Sequence, residues 1–203
     1  VGEYGTGKLS IENGAQLIAT NTSVGNLAGS TSSSIDITGS ESKFINNDLL
    51  LIGDLSEGAL NISAGATVNS QGDITFGRVA GSQGTGLITG DNSVLSSDSN
   101  IIVGVSGTGN LTADSASKII TSEDIYVGRD EGSNGTLLVQ GKNSNIEAKI
   151  LTSGGNGTGS TTIKDQATAT ISGVTRISGY ENSTSKQAKG SLTIDNATFN
   201  SPA

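Results

Sequence analysis

The stretch Gly58-Ala59-Leu60-Asn61-Ile62-Ser63-Ala64-Gly65-Ala66-Thr67-Val68-Asn69-Ser70-Gln71-Gly72-Asp73-Ile74-Thr75-Phe76-Gly77 decides the fold. Leu60 and Ile62 alternate with polar residues, Ala66 and Val68 do so again, and Ile74 and Phe76 a third time. That is the period of short half-buried strands, three in twenty residues. Gly65, Gly72 and Gly77 stand at the breaks, where positive φ or close backbone approach is needed.

The same unit recurs along the whole chain. Glycines 2, 25, 53, 77, 104, 128, 154 and 179 follow one another at 23, 28, 24, 27, 24, 26 and 25 residues, the spacing of a solenoid repeat. The first strand residues after them are Leu9, Ile35, Leu60, Leu87, Leu111, Leu137, Thr161 and Leu192. A second apolar column runs Leu17, Phe44, Val68, Val94, Ile119, Ile146 and Phe199, and a third Leu50/Ile52, Ile74/Phe76, Ile101/Val103 and Ile125/Val127. Three parallel ladders per turn make a β-helix with three strands per rung and about eight rungs. The distance from each anchor glycine to its first strand alternates between short and long, so the natural unit is a pair of turns. After Ile163 the seventh and eighth copies follow the pattern more loosely. A β-sandwich is the rival architecture, but it requires no like strands at constant spacing. The expectation is one all-β domain spanning 1–203.

Ser, Thr, Asn and Gly supply 100 of 203 residues, a composition that without the regular apolar phase would read as low complexity. The net charge of -8, with eleven basic residues scattered singly, argues against nucleic acid and anionic lipid as partners. No apolar run is long enough to span a membrane. Without Met the chain reads as a fragment, and without Cys it has no disulfide framework.

Gly5-Thr6-Gly7-Lys8-Leu9-Ser10-Ile11-Glu12-Asn13-Gly14-Ala15, Gly107-Thr108-Gly109-Asn110-Leu111-Thr112 and the run from Leu60 to Val68 resemble the passenger-associated transport repeat of bacterial type V autotransporters. The resemblance covers nearly the whole chain. It implies a right-handed coil, export to the bacterial cell surface or medium, and an outer-membrane barrel in the full-length protein. The activity it implies is that of a non-enzymatic adhesin or virulence factor, whose partner is a host protein or glycan, or another copy of itself. A released ligand for a host receptor and a β-helical polysaccharide enzyme are the alternatives.

Chemistry is sparse. With no His and no Cys, the common general base, the thiol nucleophile and most zinc sites are absent, and no cofactor is expected. Asp73, Asn100 and Asp124, with Asp48 one position earlier, form a column four residues before the anchors. Stacking would bring such groups within roughly 5 Å, so Asp73 and Asp124 are candidate calcium ligands. The stronger reading is that Asp and Asn there are turn residues bonded to backbone. Tyr4, Tyr126 and Tyr180 are expected to be too dispersed for a carbohydrate platform. The long corners, which would emerge along one edge on alternate turns, carry the candidate partner-binding residues Arg78, Arg129, Tyr180, Lys186 and Lys189.

Overall fold

A computed structural model describes residues 1–180 and 187–202. The chain forms a parallel β-solenoid of about seven turns, each near 26 residues, with three sheets. The first sheet has eight strands, from Lys8–Ile11 to Lys189–Asp195, and the second eight, from Gln16–Ala19 to Thr198–Asn200. The third has seven among the described residues, from Thr22–Val24 to Thr175–Ile177, where the repeat count anticipated an eighth rung. Every strand pairs in parallel with the strand one turn away. No helix among the described residues is long and apolar enough to cross a membrane.

Alternation fills the coil. Ile35, Leu60, Leu111 and Leu137 point inward on the first sheet, Phe44, Val68, Ile119 and Ile146 on the second, and Ile52, Phe76, Val103 and Val127 on the third. All are essentially buried, each worth about 1.5–3 kcal/mol of transfer free energy. One turn places a hydroxyl in this seam: Thr161 stands in register with Leu137, and its Oγ1 lies 2.5 Å from Ser153 Oγ, so each satisfies the other. Small residues line the corner before the second sheet, where Ser42, Ser93, Ser117 and Ser144 are fully buried. Ser42 Oγ accepts from Gly14 N at 3.1 Å, Ser93 Oγ from Gly65 N at 3.0 Å and Ser144 Oγ from Ala116 N at 3.1 Å, each tying one turn to another.

The anchor glycines make the sharpest corner. Gly53 has φ +69, and a Cβ there would lie 2.2 Å from the Gln83 carbonyl oxygen of the following turn. Both conformation and space therefore exclude a side chain. A second glycine column faces the anchors across the corner: Gly58, Gly84, Gly109, Gly135, Gly159 and Gly190 are in register on the first sheet. Short corners hold four residues between the two glycines, as in 53–58 and 104–109. Long ones hold six, as in 77–84 and 128–135.

The long corners are themselves copies. Asn26-Leu27-Ala28-Gly29-Ser30, Arg78-Val79-Ala80-Gly81-Ser82 and Arg129-Asp130-Glu131-Gly132-Ser133 each close a turn in which the serine N–H donates to the carbonyl three residues earlier. The tip glycines have φ of 92, 86 and 79. The corner between the first and second sheets alternates too. It has four residues in 39–42, 90–93 and 141–144 but three in 64–66, 115–117 and 165–167. Added length is thus shared by two corners of every second turn, where the sequence pattern assigned it to one.

Two assignments change. In the fourth copy Gly86 and Ile88, with Leu95 after them, occupy the inward columns, while Leu87 is 40% exposed and Val94 pairs with the outward Thr67. The vacancy at Gly86 is filled by neighbours: a Cβ there would lie 2.7 Å from Phe76 Cε1 and 2.6 Å from Leu111 Cδ1. The last anchor is Ser178 (φ 66) rather than Gly179, because the Ser178 N–H donates to Ser153 O as the Gly154 N–H donates to Val127 O.

Two substitutions probe the corners. Gly53→Ala is expected to destabilise the chain by more than about 2 kcal/mol, since it combines positive φ with a backbone clash. Ala116, at φ +67, is strained by its Cβ alone, and Ala116→Gly is expected to be stabilising by about 0.5–1 kcal/mol after the entropy of the unfolded glycine is deducted. Urea unfolding followed by far-UV circular dichroism measures both.

Candidate functional site

The outer face of the third sheet collects most of the chain's unusual side chains. Its register aligns Ser23, Leu51, Thr75, Ile102, Tyr126, Thr152 and Arg176 in one outward column. The column is covered: Thr75, Ile102 and Thr152 are buried although they point away from the core, and the hydroxyls of Thr75 and Thr152 have no hydrogen-bond partner. The residues just past the anchors lie beside it.

Asp73, Asn100 and Asp124 stand at the entry to these strands and form a polar ladder. Asp73 Oδ1 accepts from Ser99 Oγ at 2.5 Å, Asn100 N at 3.0 Å and Asn100 Nδ2 at 3.0 Å. Asn100 Oδ1 accepts from Asp124 N at 3.3 Å, and Asp124 Oδ2 from the Tyr126 hydroxyl at 2.8 Å. Asp73 thus spends its carboxylate on the next turn, and Asp124 spends one carboxylate oxygen on Tyr126 of its own strand. No three His, Cys, Asp or Glu side chains group closely enough to hold a metal ion among the described residues. Asp48 joins differently, through its carbonyl, which accepts from Asn46 Nδ2 at 2.7 Å and Ser70 Oγ at 2.8 Å.

Arg78 donates through Nε to Asp54, a carboxylate only 6% exposed that also accepts from Ser23 Oγ at 2.7 Å. A buried carboxylate needs such a partner, and the short corner offers its aspartate to the long corner above it. Arg129 forms a two-pronged pair with Asp130, Nε to Oδ1 at 3.0 Å and Nη2 to Oδ2 at 3.2 Å. That hydrogen bond and the Asp130 charge hold the guanidinium above its ordinary pKa against the opposing effect of burial.

Tyr180 corrects the expectation of dispersed tyrosines. Its ring packs edge-on against Tyr126, with centroids 5.9 Å apart and planes at 65°, and its hydroxyl donates to the Arg129 carbonyl at 3.2 Å. Gly155 makes this possible, since a Cβ there would lie 2.5 Å from Tyr180 Cζ. Edge-to-face pairs of this kind are worth about 0.5–1.5 kcal/mol beyond area burial. Tyr4 lies elsewhere, 88% exposed.

Lys189 belongs to a different place. It starts the last first-sheet strand and lines a groove of about 380 Å³ with Gly132, Ser133, Asn134, Gly157, Thr158 and Gln187. Lys186 lies outside the described residues. Of the candidate partner-binding residues, Arg129 and Tyr180 come into direct contact, and Arg78 joins the same corner edge two turns away. Sequence reading passed over Asp54 and Arg176 and set Tyr126 aside as one of three dispersed tyrosines, although each sits close to an anchor. All three arginines of the chain lie on this face or its corner.

Burial first, and then the hydrogen bond and charge of Asp124, push the Tyr126 phenol from 10.0 up to about 12. Burial likewise raises Tyr180. A raised phenol pKa favours the neutral ring in the fold, so its contribution to stability is complete below pH 10 and is lost as pH rises through about 12. Asp124→Ala removes the acceptor and the repelling charge and is expected to lower the Tyr126 pKa. Ultraviolet phenolate titration of this variant, with Tyr126→Phe as the subtraction reference, measures the change. Comparison of the chain with protein-family models, with curated proteins and with solved structures gives no match.

Proposed function

We propose that this chain is a non-enzymatic segment of an exported rod, an autotransporter passenger of adhesin type that meets host surfaces or copies of itself outside the cell. The observation that carries the reading is the unbroken stack: three parallel ladders built turn on turn, without one cysteine. In such a body stability is a sum of nearest-neighbour terms, so each turn can dock on the last as it emerges. A chain that must cross an outer membrane unfolded and fold on the far side is served by that additivity, and a cysteine-free chain carries no loop to jam a pore. The resemblance of Gly5–Ala15 and Gly107–Thr112 to passenger repeats supports the same reading.

The face chemistry supports binding over turnover. Asp73 is hydrogen-bonded to the next turn, Asp124 to Tyr126 of its own strand, and Arg78 and Arg129 are in ion pairs, so the polar groups are positioned and mutually neutralised. Stiff scaffolds that present many such groups gain through multivalency.

Fusing residues 1–203 to a secretion signal and an outer-membrane barrel tests the proposal. The fused chain is expected to be reached by antibody on intact bacteria and to increase their attachment to epithelial cells or to each other over barrel alone. A chain that stays in the periplasm, or that reaches the surface and changes neither attachment nor aggregation, would count against it.

A further inference from the structure

We infer that the third-sheet face and its corner bind a neutral, extended β-1,4-linked polysaccharide lying along the coil axis, with Tyr126 and Tyr180 as the stacking platform. The first observation is the tyrosine pair itself. Two half-buried rings meet at 65° and 5.9 Å, and Tyr180 is held by its hydroxyl on the Arg129 carbonyl. An aromatic surface held by packing is what a pyranose ring needs, because the C–H face of the sugar is apolar while its rim carries hydroxyls.

The second observation is the period of the planar polar groups. Arg78 and Arg129 stand just past the anchors of two successive long corners, separated by one short corner. At the parallel-strand spacing, two turns advance the face by roughly 10 Å. A β-1,4-linked chain of hexoses in its extended two-fold form repeats every two sugars over the same length. These two long corners would thus offer a guanidinium group to every second sugar, with the tyrosine pair beside the Arg129 corner.

Charge then selects the polymer. Asp54, Asp73, Asp124 and Asp130 face Arg78, Arg129 and Arg176, four carboxylates against three guanidinium groups, so the face carries no positive excess for a polyanion. The half-exposed pair Arg129–Asp130 instead presents a fixed donor and acceptor side by side, the combination that hydrogen-bonds vicinal hydroxyls, and Arg78, held by the buried Asp54, adds a second fixed donor. The exported-rod reading says only where the polymer would be met. Binding itself is a property of the isolated chain.

The chain contains no Trp, so tyrosine fluorescence reports the platform once the contribution of Tyr4 is removed with the Tyr4→Ala variant. Titration of the 203-residue chain with cellohexaose and with chitohexaose is expected to give a saturable change for at least one of them. The hexamer should bind about tenfold or more tightly than its dimer, since successive corners act together. Tyr180→Ala and Arg129→Ala should each weaken that binding about tenfold, whereas Tyr4→Ala should leave it unchanged. Tyr180→Phe, which keeps the ring, separates loss of stacking from loss of fold, and circular dichroism melts check all four variants. The inference is overturned if neither hexamer gives a saturable change at millimolar concentration, if hexamer and dimer bind alike, if polygalacturonate binds more tightly, or if Tyr4→Ala has the same effect as Tyr180→Ala. Any of these results with attachment by displayed chain intact would leave the exported-rod reading standing.

Discussion

The structure depends on the close passage of one backbone over another at a corner that has no room for a Cβ. Gly53, Gly77, Gly104, Gly128 and Gly154 each take a left-handed φ, and a methyl group on any of them would lie within 2.5 Å of a carbonyl oxygen in the next turn. The facing column of Gly58, Gly84, Gly109, Gly135 and Gly159 is equally tight, with a hypothetical Cβ at 2.1–2.4 Å from its closest backbone atom. This contact sets how far each turn can rise. Once the rise is fixed at the strand spacing, the parallel ladders follow, and like residues stack over like. The apolar seam is then filled by only part of the 48 Leu, Ile, Val and Phe residues in 203, because each covers its neighbours above and below.

The same constraint creates the outer face. With the corners pinned, the residues just past each glycine have fixed positions over the third sheet, and the burial of Thr75, Ile102 and Thr152 follows from that cover. Asp54 is enclosed there and calls for Arg78, and Gly155 leaves the space into which Tyr180 leans. A flexible loop would lose several of these contacts to entropy. A corner tied by the Gly128, Arg129 and Asp130 N–H groups to the turn below keeps them.

Much of the fold was legible because its signals are redundant. Anchor glycines, alternating apolar pairs and small corner residues recur in phase, so a misread copy is outvoted by the others. The misread fourth copy shows the limit. In Leu87-Ile88 and again in Val94-Leu95 both neighbours are apolar, so a two-residue period cannot choose the phase. What chooses it is the Phe76 ring, which fills the space beside Gly86 and belongs to a different sheet. The Ser178 anchor was hidden for a related reason: a serine at φ 66 is a strained choice, and Gly179 beside it satisfies the expected residue type. The candidate residues Arg78, Arg129 and Tyr180 were visible as occupants of long corners, but the Tyr126–Tyr180 contact depends on where a side chain leans after the corner, which spacing does not encode.

The two-turn unit links these observations. Alternation runs through both corners and through the serine-closed long loops. A coil of identical turns would need neither arrangement. Two kinds of turn let a rigid core present protruding and recessed corners at regular intervals along one edge, while the buried columns keep a one-turn register. The core therefore answers to the strand spacing and the surface to twice that spacing. The second period is regular only because the first is held so strictly.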